Sequence, residues 1–123
     1  MKIKRLLFFS IAIIAMVYTS CRHEADLSNA PVISFSNDVQ PIITTRCAMD
    51  GCHSAYSHEK LSLETYEEVM KIVKAGKIHS SDLYETITAL NGEKRMPPLP
   101  DSRLADKQIL KIMIWIEQGA KNN

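Results

Sequence analysis

The stretch Arg46-Cys47-Ala48-Met49-Asp50-Gly51-Cys52-His53 is the one around which the chain is organised. Two thiols in a short segment can close a disulfide, join a metal site, or add across the two vinyl groups of a haem. A histidine directly after the second cysteine points to the third chemistry, because its imidazole then reaches the iron as an axial ligand. Four residues, Ala48 to Gly51, separate the cysteines, a longer gap than the C-x-x-C-H spacing usual for covalent haem. The vinyl carbons of a rigid porphyrin limit how far apart the sulfurs can lie, so the additional residues must loop outward. Asp50-Gly51 is a dipeptide suited to that turn.

Before this stretch, Lys2, Lys4 and Arg5 precede the apolar run Leu6 to Tyr18, broken only by Ser10, and Thr19-Ser20 lead into Cys21. A run of thirteen residues falls short of the ~20 that a membrane-spanning helix needs, and the basic start and small residues at its end are the layout of a secretory signal. Residues 1–20 are therefore expected to be a signal peptide. Tyr18-Thr19-Ser20-Cys21 also resembles a bacterial lipoprotein box, with Tyr18 where an aliphatic residue is usual, which implies lipid attachment at Cys21; a plain signal peptide and an uncleaved anchor are the alternatives. Of three cysteines, Cys21 then goes to lipid and Cys47 and Cys52 remain as a pair. Export also permits a Cys47–Cys52 disulfide, the plain alternative for that pair.

The formal charge of +1 depends on the first twenty residues; without them the basic and acidic side chains number 12 and 14. Such a balance implies no nucleic-acid partner. A hydrophobic fraction of 46% with 24% charged residues suits one globular domain, and with roughly 90 residues to order, apolar burial by protein alone is marginal, so an internal cofactor would help. Residues 21–33, polar and containing Pro31, are expected to form a tether, with His23 a solvated linker residue. Residues 34–121 form the domain.

Helical periodicity runs through that domain. A first helix is expected from Asp38 as N-cap, with Pro41 in its first turn, Val39, Ile42 and Ile43 on one face, and Phe35 packing back onto its start. Thr65-Tyr66-Glu67-Glu68 reads as a capping box opening a helix from Tyr66 to Ala75 that Gly76 ends, with Tyr66, Val69, Met70 and Val73 on one side. Ser80-Ser81-Asp82 starts a third helix, with Asp82 and Glu85 spaced as another box, Leu83, Ile87 and Leu90 inward and Asn91-Gly92 as its stop. The last, Leu104 to Gln118, carries Ile109, Ile112, Met113 and Ile116 at helical spacing, widened by Leu110, Ile114 and Trp115, so it is expected to be buried on more than one side before Gly119 ends it and Asn122-Asn123 trail off. No period-two strand stands out, and the fold class is all-α, about four short helices.

Between the last two helices lies Glu93-Lys94-Arg95-Met96-Pro97-Pro98-Leu99-Pro100. Prolines hold this loop extended, and Pro97 biases Met96 away from helical geometry. A thioether on such a loop suits the position across an iron from an imidazole, because Met/His ligation raises the reduction potential. Met96 is therefore the candidate sixth ligand. Met49 lies too close to the thioether bonds to reach that position, Met70 and Met113 belong to helical apolar stripes, and His58 and His79 read as surface residues.

Together, Phe35-Ser36-Asn37-Asp38-Val39-Gln40-Pro41-Ile42, the Cys47…Cys52-His53 stretch, Leu61-Ser62-Leu63, Met96-Pro97-Pro98 and Trp115-Ile116-Glu117-Gln118-Gly119-Ala120 resemble the small single-haem cytochrome c domains of bacterial envelopes. The resemblance implies a class I cytochrome c fold, in which first and last helices cross and the middle helices line a haem slot. It implies one covalent haem c on Cys47 and Cys52, with His53 as proximal and Met96 as distal iron ligand. It also implies an electron carrier that docks transiently on redox partner proteins, exported and held at a membrane through its lipid. Ala105 stands where relatives often have a helix-capping Ser, so the last helix is expected to begin less sharply. Two other readings are a haem-based gas or peroxide binder, which would need an open sixth position, and a haem-free lipoprotein interaction module with a Cys47–Cys52 disulfide. No carboxylate pair, nucleophile–base arrangement or phosphate loop suggests an enzyme.

Overall fold

A computed structural model describes residue 27, residues 29–57 and residues 61–123. The signal peptide, Cys21, His23 and His58 lie outside the described residues. The described chain is all-α, with four α-helices and no strand: α1 (Gln40–Arg46), α2 (Tyr66–Val69), α3 (Asp82–Thr88) and α4 (Asp106–Glu117). Wide or tight turns flank them, a π-helical turn Phe35–Val39 before α1, and 3-10 turns Met70–Ile72 after α2 and Ile78–Ser80 before α3. No helix among the described residues is long and apolar enough to cross a membrane.

The longest helix, α4, is the axis of the core. Ile112, Trp115 and Ile116 are fully buried, with Ile114 close to it, and the Phe35–Val39 turn, the Ile78–Ser80 turn and α3 all pack against it. Where the helical stripe was expected to widen over Leu110, that residue is instead 48% exposed. The indole of Trp115 lies 5.4 Å from Phe35 and 6.4 Å from Tyr66, which meets Phe35 edge-on at 5.1 Å. Three separate segments are thereby joined by one aromatic cluster, an arrangement that adds to simple area burial. The Trp115 Nε1–H donates to the Lys121 carbonyl at 2.9 Å, and the Tyr66 hydroxyl to the Ala120 carbonyl at 2.8 Å. Gly119 ends α4 in the left-handed region at φ 96°.

Helix boundaries depart from the periodicity where tertiary contacts take over. The first helical segment opens at Ser34, not Asp38: the Ser34 hydroxyl accepts from the Asn37 amide, and Asp38 reaches back to the Ser34 amide at 3.1 Å. Starting earlier buries Phe35 on Trp115 and frees Asp38 for an ion pair with Lys111 at 2.7 Å. The Thr65–Glu68 capping box is present in both directions. The helix it opens does not reach Ala75. Val73 is extended and buried, the Lys74 amide bonds the Ser81 hydroxyl at 2.9 Å, and the Gly76 amide bonds the Ile116 carbonyl at 2.8 Å, so these donors serve the core instead of the helix.

The second expected box is absent. Ser81 is the N-cap of α3 without a capping side-chain bond, because its hydroxyl is committed to Lys74 and to the Lys77 carbonyl. Leu83 and Ile87 are buried as expected, but Leu90 is 66% exposed: α3 stops at Thr88 and Ala89 is extended, so helical spacing no longer applies at residue 90. Ala105 has no side chain with which to cap α4, and only the return half of a box forms, Gln108 Oε1 accepting from the Ala105 amide at 3.0 Å.

Both ends of the domain are tied together. The Gln118 amide donates to the Pro31 carbonyl and accepts from the Ile33 amide, each at 2.9 Å, and Ile33 is buried, so the segment expected as tether joins the core before residue 34. Asn123 does not trail off. Its side-chain oxygen accepts from the Phe35 amide at 2.9 Å and its carbonyl from the Ser34 and Ser36 hydroxyls at 2.7 and 2.8 Å.

Candidate functional site

The end of α1 sets Cys47 half-buried against the core, while Met49, Asp50 and Gly51 stay exposed. Ile42 and Ile43 are buried, and the Cys47 and Ala48 amides both bond the Ile43 carbonyl, at 2.8 and 2.9 Å, closing the helix. The loop then folds back on itself: the Cys52 amide donates to the Met49 carbonyl at 2.9 Å and the His53 amide to the Cys47 carbonyl at 3.1 Å. Gly51, at φ 77°, makes the reversal in a region a side chain would resist. The expected outward loop is therefore formed, and it returns His53 to the residue that precedes it by a full loop.

His53 is held at two levels. Its carbonyl accepts from the Leu63 amide at 2.9 Å, and its Nδ1 lies 2.8 Å from the Leu61 carbonyl. A carbonyl can only accept, so Nδ1 is the donor and Nε2 is the ring nitrogen left to face a ligand. Metal-binding histidines are oriented in this way.

Met96 arrives from the other end of the chain. Its amide donates to the Thr86 carbonyl of α3 at 3.0 Å. The loop is not extended as expected. It passes through bends and turns from Gly92 to Asp101, with cis peptide bonds at Met96–Pro97 and Leu99–Pro100. Arg95, 5% exposed, donates from Nη1 to the Pro97 carbonyl and from Nη2 to the Asp101 carbonyl at 2.9 Å. Lys94 pairs with Glu85 of α3 at 2.8 Å on the surface.

All four residues expected to hold a cofactor line one cavity. A space of about 300 Å³ is bordered by Cys47, Cys52, His53 and Met96 together with Arg46, Met49, Leu61, Ile87, Pro97, Pro98, Asp101 and Leu104. A neighbouring lobe of about 140 Å³ shares Cys47, His53, Leu61, Ile87 and Met96 with it and adds Leu63, Ile72, Asp82, Leu83 and Thr86. Most of this lining is apolar, and the larger lobe reaches the size at which small-molecule and cofactor sites begin. Among the described residues no group of three or more His, Cys, Asp or Glu side chains is placed to hold a metal ion.

Cys47 and Cys52 are half-buried and not joined by a disulfide. Burial pushes the Cys47 thiol up to about 11, with Arg46 opposing the shift and Cys52 adding to it, so this sulfur is protonated at neutral pH. Arg46 donates from Nη2 to the Ser102 carbonyl at 2.8 Å, while its Nε is buried without a partner. One hydrogen-bond donor is thus left over on a residue of the cavity wall, which a purely apolar core would not tolerate cheaply.

The other sulfurs and imidazoles fall elsewhere. Met70 and Met113 pack against the core. His79, on the Ile78–Ser80 turn, is exposed and meets Tyr84 edge-on at 6.2 Å. Met49, between the two cysteines, lines the larger lobe while staying 42% exposed. Sequence reasoning passed over Arg46, Arg95, Leu104 and the Thr86 carbonyl. Arg46 and Arg95 each stand next to a candidate site residue, Cys47 and Met96, and adjacency was the only signal for them.

Comparison of the chain with protein families, with curated proteins and with solved structures found no match.

Proposed function

We propose that this chain is an exported, lipid-anchored electron carrier with a cytochrome c-like fold and one covalently attached haem c. The observation that carries the reading is the convergence of Cys47, Cys52, His53 and Met96 on one apolar cavity, two loops far apart in sequence meeting where a flat, mostly apolar macrocycle would need them. The donor set fits that group: two thiols for vinyl addition, an imidazole with its lone pair directed by the Leu61 carbonyl, and a thioether. A disulfide module would need Cys47 and Cys52 for each other, and both thiols are free.

In this reading Cys47 and Cys52 would hold the ring by thioether bonds, and His53 and Met96 would be the residues that bind its iron. When bound, the haem supplies an iron that exchanges single electrons between ferrous and ferric states. The chain does the rest. Leu61, Leu63, Ile87 and Leu104 line the cavity and would keep water from a bound metal, a surrounding that would favour the less charged ferrous form. With its sulfur on the iron, Met96 would leave no open position for oxygen or peroxide, which would separate a carrier from a gas binder or a peroxidase. Residues 1–20 act as the export signal and Cys21 as the lipidated residue that holds the domain at a membrane, where it meets redox partner proteins. No bond-making step is assigned to the chain.

Intact mass of the protein from a host with covalent haem maturation, taken with its visible spectrum, tests all of this. The expected product lacks residues 1–20, carries acyl groups on Cys21 and one haem, and in the ferrous state binds carbon monoxide poorly. Colourless protein with Cys47 and Cys52 oxidised to each other would replace the carrier with the interaction module. A haem protein that takes carbon monoxide readily would make it a gas binder.

A further inference from the structure

Arg95 is buried to 5% exposure, yet the ion pairs among the described residues are Lys94–Glu85 and Lys111–Asp38; the acceptors its hydrogen bonds reach are carbonyls. Burying a guanidinium without a carboxylate is expensive, and carbonyl contacts offset only part of the cost. What the arrangement achieves is geometric. The loop from Gly92 to Asp101 contains three prolines, which have no amide hydrogen to bond its carbonyls. The planar fork of Arg95 supplies that need twice over, bonding Pro97 on one side and Asp101 on the other, and so closes the loop into a ring with Met96 inside it. The Met96 amide fixes the ring to Thr86 of α3.

We propose that Arg95 is a positioning residue for Met96: by bridging the Pro97 and Asp101 carbonyls it holds the thioether at the cavity, so sulfur ligation of the iron depends on a side chain that does not line the cavity itself. This inference rests on the haem reading above. Lysine cannot stand in for the fork, since its ammonium is a compact point charge unable to span two carbonyls in one plane.

The test uses the full-length, haem-loaded protein in wild-type form and as Arg95→Lys, Arg95→Gln and Met96→Ala. Three readouts apply: the iron–sulfur charge-transfer band of the ferric state, carbon monoxide affinity of the ferrous state, and tryptic nicking after Lys94 or Arg103. Loss of a hydrogen bond to a charged group is worth about a tenfold change or more. Both Arg95 variants should therefore weaken the band, bind carbon monoxide at least about tenfold more tightly and be nicked faster, with unchanged far-ultraviolet dichroism, approaching Met96→Ala. Wild-type behaviour in both variants overturns the proposal and leaves the haem reading standing. Wild-type behaviour in Arg95→Lys alone also overturns it, since charge and not bridging would then be what matters. If wild-type protein carries haem but no sulfur band, Met96 is no ligand and the premise fails instead. Should the Arg95 variants not fold, Leu99→Gly loosens the same ring at a 71% exposed residue; a rise in carbon monoxide affinity is expected there as well, and its absence counts against the ring.

Discussion

Replacing Trp115 by phenylalanine should cost this domain about 2 kcal/mol, and by alanine about 4 kcal/mol. The estimate is built from the contacts of the ring. Trp115 is fully buried, its Nε1–H donates to the Lys121 carbonyl at 2.9 Å, and its ring meets Phe35 at 5.4 Å and Tyr66 at 6.4 Å. Phenylalanine loses the hydrogen bond, worth about 1 kcal/mol, and leaves a void where the second ring lay, worth about 1 kcal/mol more. Alanine removes the aromatic contacts as well. A domain of this size has about 5–15 kcal/mol in total, and 1 kcal/mol moves its melting midpoint by about 4–8 °C. Trp115→Phe should therefore melt roughly 8–16 °C lower by far-ultraviolet dichroism, a probe that does not use the indole. Wild type and variant must be compared with the same content of any bound cofactor, because anything bound to the folded state adds to its apparent stability. In a double-mutant cycle of Trp115→Ala with Phe35→Leu, a coupling of about 0.5–1.5 kcal/mol is expected from the ring pair. A Trp115→Phe protein within about 0.5 kcal/mol of wild type, or additive behaviour in the cycle, would refute the claim that this cluster joins the first segment to α4.

Acid should weaken the fold through two carboxylates. The Lys111 ammonium and then the Ser34 amide hold Asp38 below the usual carboxylate range, and the Thr65 amide does the same for Glu68. Because folding lowers both values, their contributions are complete above the unfolded carboxylate range, near pH ~4, and disappear as pH falls through the lower folded values. Urea midpoints of Asp38→Asn and Glu68→Gln should accordingly lie below wild type at neutral pH and converge with it in acid; a constant gap would be the contrary result. Gln118→Ala removes both bonds to Pro31 and Ile33, a loss of about 1–2 kcal/mol, and limited proteolysis should cut sooner near residue 30. On the haem reading, Cys47→Ser and Cys52→Ser should each retain haem through one thioether after denaturing electrophoresis, while the double variant stains for none; a double variant that stains as strongly as the single ones would remove these cysteines from the site.

How much of this was legible beforehand varies residue by residue. The Thr65–Glu68 box formed as written because every atom it needs lies within one turn. The Asp82–Glu85 spacing looked equally like a box and forms none: α3 takes Ser81 as its N-cap, and the Ser81 hydroxyl is drawn to Lys74 and Lys77 by the fold of the preceding segment. The Pro-rich loop was expected to be extended from local preference, yet it turns, with the buried Arg95 reaching across it to two carbonyls whose placement depends on the whole loop. Leu90 belonged to the apolar stripe of α3 until that helix ended two residues short of it.

Sequence alone determined that the described chain would be helical, most of the positions that fill its core, Leu90 and Leu110 excepted, and which four side chains were the candidates for a cofactor, because these follow from spacing along the chain and from the chemistry of single residues. Tertiary structure decided where the helices stop, that Asn123 and Gln118 fasten the two ends to each other, and that Met96 shares a cavity with Cys47, Cys52 and His53. Those outcomes depend on which donor finds which acceptor across long separations, and a buried amide or guanidinium takes whichever partner the assembled core brings within reach.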